Sequence, residues 1–221
     1  MISVELKKRI ITSLVLLTLL ISMYYYFYIL IIFLILVTII SWIEFNGLIV
    51  KIFKSNNLKN KLFKFLLKSV SLLYLSLFSF VIIFVRSENL ESEIFIIYSL
   101  FVSINSDIGG LLFGKIFKGR KLTKISPGKT ISGSIGSFIF SLALIPYFIQ
   151  YFDKINISSL FIITILVSFT SQLGDLFFSF LKRKAKVKNT SDLLPGHGGF
   201  IDRIDGILFA VPIGFLLFRF I

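Results

Sequence analysis

Asp202 and Asp205 stand three residues apart in Phe200-Ile201-Asp202-Arg203-Ile204-Asp205, at the start of the last apolar segment. On a helix this spacing puts both carboxylates on one face, where they repel each other unless a cation lies between them. Asp175 closes the polar stretch Ser171-Gln172-Leu173-Gly174-Asp175 of the preceding apolar segment. Three carboxylates from two neighbouring helices, completed by water or phosphate oxygens, make a plausible magnesium site. The competing reading is that Lys182, Arg183 and Arg203 neutralise these aspartates as buried salt bridges. The chain has no cysteine and one histidine, so thiolate and multi-imidazole metal sites are excluded. A catalytic metal must then be held by oxygen, which favours magnesium, manganese or calcium.

The residues around these aspartates suit anions. The stretch 179–206 carries six basic residues and three aspartates. Within it lies Pro195-Gly196-His197-Gly198-Gly199. Glycines let a loop approach a ligand closely, and a helix start offers N–H groups to an anion. His197 could bind a phosphate, carry a proton or serve as a structural donor. A second polar turn, Ser126-Pro127-Gly128-Lys129-Thr130-Ile131-Ser132-Gly133, offers a lysine and hydroxyls ahead of another apolar segment. Its Gly-Lys-Thr is not a P-loop, because Thr123 stands where the first glycine is required. Gly133, Gly136 and Ser137 equally suit close packing of membrane helices.

The elements that position these residues are membrane spans. Hydrophobic residues make up 56% of 221, mean hydropathy is +0.94, and 16% are charged, too few for a soluble surface. Residues 10–43, 131–152 and 155–174 carry no charge, and about 20 apolar residues cross a hydrocarbon core. The fold expected is an all-α polytopic membrane helix bundle of about seven to nine transmembrane helices. Spans are expected near 10–22, 24–43, 69–85, 93–114, 131–151, 156–180 and 200–219, the first two turning near Ser22-Met23-Tyr24. The 7–9 basic cluster begins an uncleaved span, since no small-residue cleavage site follows. Residues 1–92 form an N-terminal set of helices, and 93–221 a catalytic region with cytoplasmic loops 115–130 and 182–199.

Charge sets the orientation. Of 24 basic residues, 21 fall at the N-terminus or in segments 44–68, 115–130 and 182–203; only Arg86, Lys154 and Arg219 fall elsewhere. By the positive-inside rule these loops and the N-terminus are cytoplasmic, which explains the net charge of +13 without nucleic acid. Glu88, Glu91, Glu93 and Asp153 lie in outer connections. Asp107, Asp175, Asp202 and Asp205 lie within or at the inner edge of apolar segments, where ionisable groups are costly and mark functional cavities.

Taken together these residues resemble the phosphatidate cytidylyltransferase, or CDP-diacylglycerol synthase, family. Its C-terminal pattern is met by Ser179, Lys182, Arg183, Lys188, Pro195, His197, Gly198, Gly199, Asp202, Arg203 and Asp205. Gln172-Leu173-Gly174-Asp175-Leu176 fits too, as do Asp107-Ile108-Gly109 with Gly114, Ser126-Pro127 and Lys129-Thr130. The likeness covers roughly residues 100–206. Asn189 departs from the pattern's aspartate, Gly128 from a lysine and Ser132 from a glutamate. A break of the 107–114 stretch into two half-helices would bring the span count nearer the family's.

The resemblance implies attack of a phosphatidate phosphate oxygen on the α-phosphorus of CTP, giving CDP-diacylglycerol and pyrophosphate. It implies Asp175, Asp202 and Asp205 as ligands of magnesium, with room for a second cation, and a catalytic set that adds His197, Lys182 and Arg183. Substrate contacts fall to Ser126, Lys129, Thr130, Ser179, Lys188, Gly198, Gly199, Arg203 and Asp107. The implied setting is the cell inner membrane with the site facing the cytoplasm, membrane lipid as a partner and a homodimer as one assembly. Rival readings are another CTP-dependent lipid enzyme, such as a polyprenol kinase, and a small cation transporter. The Asp-Gly-x-x-Ala-Arg pattern of CDP-alcohol phosphatidyltransferases is absent. A transporter needs acids from side to side of its spans, whereas here they cluster at the inner face.

Overall fold

The computed structural model describes residues 4–55, 57–88, 90–152 and 155–220. Among them regular structure is helical: α1 (Val4–Tyr25), α2 (Phe27–Ile52), α3 (Leu58–Glu88), α4 (Leu90–Phe117), α5 (Ile131–Leu142), α6 (Ile145–Phe148) with a 3-10 turn at Ile149–Tyr151, α7 (Ile157–Lys184) and α8 (Ile201–Phe220). Among the described residues, five stretches are long and apolar enough to cross a membrane: Phe27–Ile52, Leu58–Glu88, Ser92–Phe117, Ile131–Tyr151 and Ile157–Lys184. Asp153 and Lys154, expected in an outer connection, lie outside the described residues, as do the side chains of Lys7, Lys8, Arg9 and Glu91.

Three sequence expectations are corrected. The first turn falls at Tyr26, whose extended backbone (φ −118°, ψ 106°) separates α1 from α2, slightly past residues 22–24. Segment 44–68 is mostly helix rather than loop, since α2 runs to Ile52 and α3 begins at Leu58. The stretch 107–114 does not break into half-helices; α4 is continuous from Leu90 to Phe117. Its glycines serve packing instead. A Cβ added at Gly133 of α5 would come within 2.7 Å of the Gly110 carbonyl oxygen of α4, so the two backbones can run this close only without side chains, as small residues allow between membrane helices. Local chemistry fixes the ends of α5. Thr130 Oγ1 accepts from Gly133 N as its N-cap, and Pro146, which cannot satisfy the Leu142 carbonyl, ends the helix.

The chain divides into two compact units. One comprises residues 1–83 and 181–204. Leu34, Val37, Leu48, Ile49, Leu75 and Phe78 are buried in it. Trp42 Nε1 donates to the Lys68 carbonyl at 3.0 Å, and Thr38 and Ser79 hydroxyls meet at 2.7 Å, tying α2 to α3.

The other unit comprises residues 84–180 and 205–221. Its apolar core joins Tyr98, Val102, Phe148, Phe152, Leu160, Ile163, Val167, Ala210 and Phe218. Hydroxyls stitch its helices together: Tyr98 to Thr164 at 2.5 Å, Ser103 to Ser171 at 2.8 Å, Ser168 to Ser106 at 3.1 Å, and Ser137 to the Ser106 carbonyl at 2.6 Å. In an apolar medium such bonds supply the association that hydrophobic burial cannot.

Candidate active site

In the unit of residues 1–83 and 181–204, the polar loop between α7 and α8 folds around two carboxylates. Asp202, in the first turn of α8, takes Lys182 Nζ on Oδ1 at 2.6 Å. Its Oδ2 accepts from the backbone N–H of Thr190 at 2.9 Å and of Gly199 at 3.0 Å. Lys182 belongs to the basic last turn of α7, a favourable place for a cation.

The Pro195–Gly199 segment has the geometry its glycines allow. Gly196 and Gly198 adopt positive φ, 77° and 83°, a region open mainly to glycine. A Cβ on Gly199 would come within 2.8 Å of both Glu44 Oε2 and the Ser191 nitrogen. His197 N–H donates to the Leu194 carbonyl at 2.9 Å. Its own carbonyl accepts from Arg203 Nε at 3.0 Å and Nη2 at 2.6 Å, so Arg203 braces the loop with its guanidinium edge.

The helix start was expected to offer free N–H groups to an anion. The anions there are the chain's own. Gly199 N donates to Asp202, while Phe200 N and Ile201 N donate to Glu44 at 2.8 and 2.9 Å. Of the salt bridges weighed from sequence, Lys182–Asp202 is formed. Arg183 and Lys188 are exposed, and Ser179 is half-buried. Asn189 packs beside Gly198, where an added Cβ would meet its Cγ at 3.1 Å.

In the unit of residues 84–180 and 205–221, Lys129 forms an ion pair with Asp175. Asp107 lies close enough to both for their charges to act on it. A turn delivers Lys129 here: its N–H donates to the Ser126 carbonyl at 3.0 Å, with Pro127 and Gly128 between. Ser126 and Thr130, expected as substrate contacts, shape this turn and the start of α5. Ser126 N donates to Thr123 Oγ1 at 3.2 Å, and Thr130 is the cap already described. Asp205 is buried, and its Oδ1 accepts from Gly206 N at 3.0 Å. Its carbonyl packs on Gly174, the neighbour of Asp175, where a Cβ would meet that oxygen at 2.5 Å.

The sequence profile of the cytidylyltransferase family matches residues 2–221. The chain belongs to that family. Curated relatives bear the name phosphatidate cytidylyltransferase. Those of Staphylococcus haemolyticus and Staphylococcus aureus (strain COL) are each 40% identical over 131 residues, 58% of this chain and 49% of the relative. That of Staphylococcus epidermidis is 39% identical over the same length. The chain thus spans about half the length of the curated relatives it matches.

For this cytidylyltransferase-family chain, the donors available to a metal are hard oxygens, the type magnesium prefers. Lys129 places an ammonium against Asp175, so that carboxylate already occupies a position that holds positive charge. Among the described residues, neither unit assembles three or more His, Asp or Glu side chains into a ready metal cage.

Sequence reasoning missed Glu44. It was assigned to a loop, yet it lies in α2, 6% exposed, and accepts hydrogen bonds from Thr190 Oγ1, Ser191 Oγ and two backbone N–H groups. The available signal was its setting in Ser41-Trp42-Ile43-Glu44-Phe45, the only acid between Ile10 and Glu88. A lone carboxylate amid apolar residues needs a partner.

Proposed function

We propose that the chain is a phosphatidate cytidylyltransferase, transferring CMP from CTP to phosphatidate. A phosphate oxygen of phosphatidate bonds to the α-phosphorus of CTP as the bond to the β-phosphate oxygen breaks, and pyrophosphate leaves. The observation that carries this reading is the pair of carboxylate–lysine contacts, Lys182–Asp202 and Lys129–Asp175, in a chain of the cytidylyltransferase family whose helices are long and apolar enough for a bilayer. Basic groups fixed at the ends of such helices suit phosphate on a lipid that cannot leave the membrane.

Phosphoryl-type transfer depends on positioning and charge neutralisation more than on a covalent nucleophile. Lys182, held by Asp202, together with Arg183 and Lys129, would neutralise and orient phosphates. Arg203 donates twice to the His197 carbonyl, which braces the glycine loop. Asp175, Asp202 and Asp205 would hold magnesium, which when bound supplies positive charge for the triphosphate. Asp202 Oδ1 accepts from Lys182 Nζ, and a carboxylate oxygen has lone pairs for a second contact.

The same reading places the protein in the cell inner membrane as seven to nine spans, with the N-terminus and active site on the cytoplasmic side. The 21 to 3 division of basic residues supports it. Purified protein in detergent, given labelled CTP, phosphatidate and magnesium, should form CDP-diacylglycerol and pyrophosphate. Release of CDP with a phosphorylated lipid would instead identify a kinase. No product from folded protein would overturn the reading.

A further inference from the structure

Glu44 is the acid in the C-terminal half of α2, and its carboxylate is saturated. Oε1 accepts from Ser191 Oγ at 2.5 Å and Phe200 N at 2.8 Å; Oε2 accepts from Thr190 Oγ1 at 2.8 Å and Ile201 N at 2.9 Å. Four donors match the roughly four lone-pair sites of an ionised carboxylate. Every group facing it is a donor, so an amide in its place would turn an NH2 toward at least one N–H or O–H. Burying a carboxylate in an apolar helix is costly unless hydrogen bonds replace its water. Here the start of α8 and two loop hydroxyls do so.

The arrangement also links Glu44 to the candidate catalytic groups. Thr190 Oγ1 stands 2.8 Å from Glu44 Oε2 and 3.1 Å from Asp202 Oδ2. Its one hydroxyl hydrogen can serve only one of these carboxylates, and the shorter contact is to Glu44. With that hydrogen directed to Glu44, Asp202 is held by the backbone N–H groups of Thr190 and Gly199 and by Lys182. Gly199 is confined by the same contacts, since a Cβ there would overlap Thr190 Oγ1 and also meet Glu44 Oε2 and the Ser191 nitrogen.

We propose that Glu44 is a positioning residue, whose carboxylate fixes the Thr190–Ser191 segment and the start of α8 in the one conformation that presents Lys182 and Asp202 to a phosphate-bearing substrate. It does not touch substrate; it acts through Thr190 and the backbone of residues 199–201. The catalytic consequence rests on the functional reading above, whereas the ordering of the loop does not.

The test compares Glu44→Gln and Glu44→Asp with the parent in detergent. One measurement is CDP-diacylglycerol formation and the other is hydrogen exchange resolved along the chain. Glu44→Gln should speed exchange at Thr190, Phe200 and Ile201 while leaving Leu160 to Val167 unchanged. It should also lower kcat/KM by about 10- to 100-fold, as loss of a supporting partner does. Glu44→Asp keeps an acceptor-only group and should recover part of both effects. Unchanged exchange at residues 190–201, or a uniform rise across the protein, would overturn the proposal. So would ordered turnover within about threefold of the parent despite a loosened loop. If the parent itself gives no product, the functional reading falls, and the exchange data alone still decide whether Glu44 orders the loop.

Discussion

Lys182 Nζ lies 2.6 Å from Asp202 Oδ1, with side chains only 15% and 8% exposed, so one charge pair ties the end of α7 to the start of α8. Lys182→Met removes the counter-charge and leaves Asp202 with neutral donors. Loss of one such preorganised cation should lower kcat/KM by about 100-fold or more. Turnover within a few-fold of the parent would show that the pair is structural.

Asp205→Asn tests the remaining carboxylate of the same helix. Asparagine keeps the size and an acceptor for Gly206 N but removes the charge. CDP-diacylglycerol formation should be abolished with the thermal unfolding midpoint unchanged. Near-normal activity would remove Asp205 from the metal-holding set.

Metal dependence gives an independent check. With only oxygen donors available, chelation by EDTA should stop turnover, and magnesium or manganese should restore it. Activity that persists in excess EDTA would overturn the assignment of Asp175, Asp202 and Asp205.

Two glycines should answer differently. A Cβ on Gly199 would overlap Thr190 Oγ1 and press against Glu44 Oε2 and the Ser191 nitrogen, the latter two at 2.8 Å. Gly199→Ala should therefore cost about 1–3 kcal/mol as overpacking, read as a lower unfolding midpoint. At Gly128 a Cβ meets nothing within 4 Å. Gly128→Lys, the residue the family pattern carries there, should leave the midpoint unchanged.

Most of the helices were legible because uncharged runs of this length leave few alternatives to helix. The boundaries were less so. Glu44 looked like the point where α2 meets water, because charge usually ends an apolar helix; here donors about 150 residues away in the chain satisfy it. A break of the 107–114 stretch would have brought the span count nearer the family's, but the glycines at 109 and 110 instead serve the approach of α5. The polar residues of the loops were found from their types and spacing. Their partners were not, since nothing local to Phe200 or Ile201 says whose oxygen their N–H groups will meet. The pairing of Lys129 with Asp175 likewise joins positions that no short motif links.

The contacts of Glu44 also bear on how such a chain can be cut and rejoined. An apolar helix of a membrane protein is easily treated as an exchangeable anchor. A chimera that replaced α2 with a foreign hydrophobic segment would still insert, yet Ser191, Phe200 and Ile201 would lose the oxygens that receive them. Swapping α2 alone would thus unsettle sequence about 150 residues further along the chain, and a glutamate at the matching depth is the minimum that a working graft must bring with it.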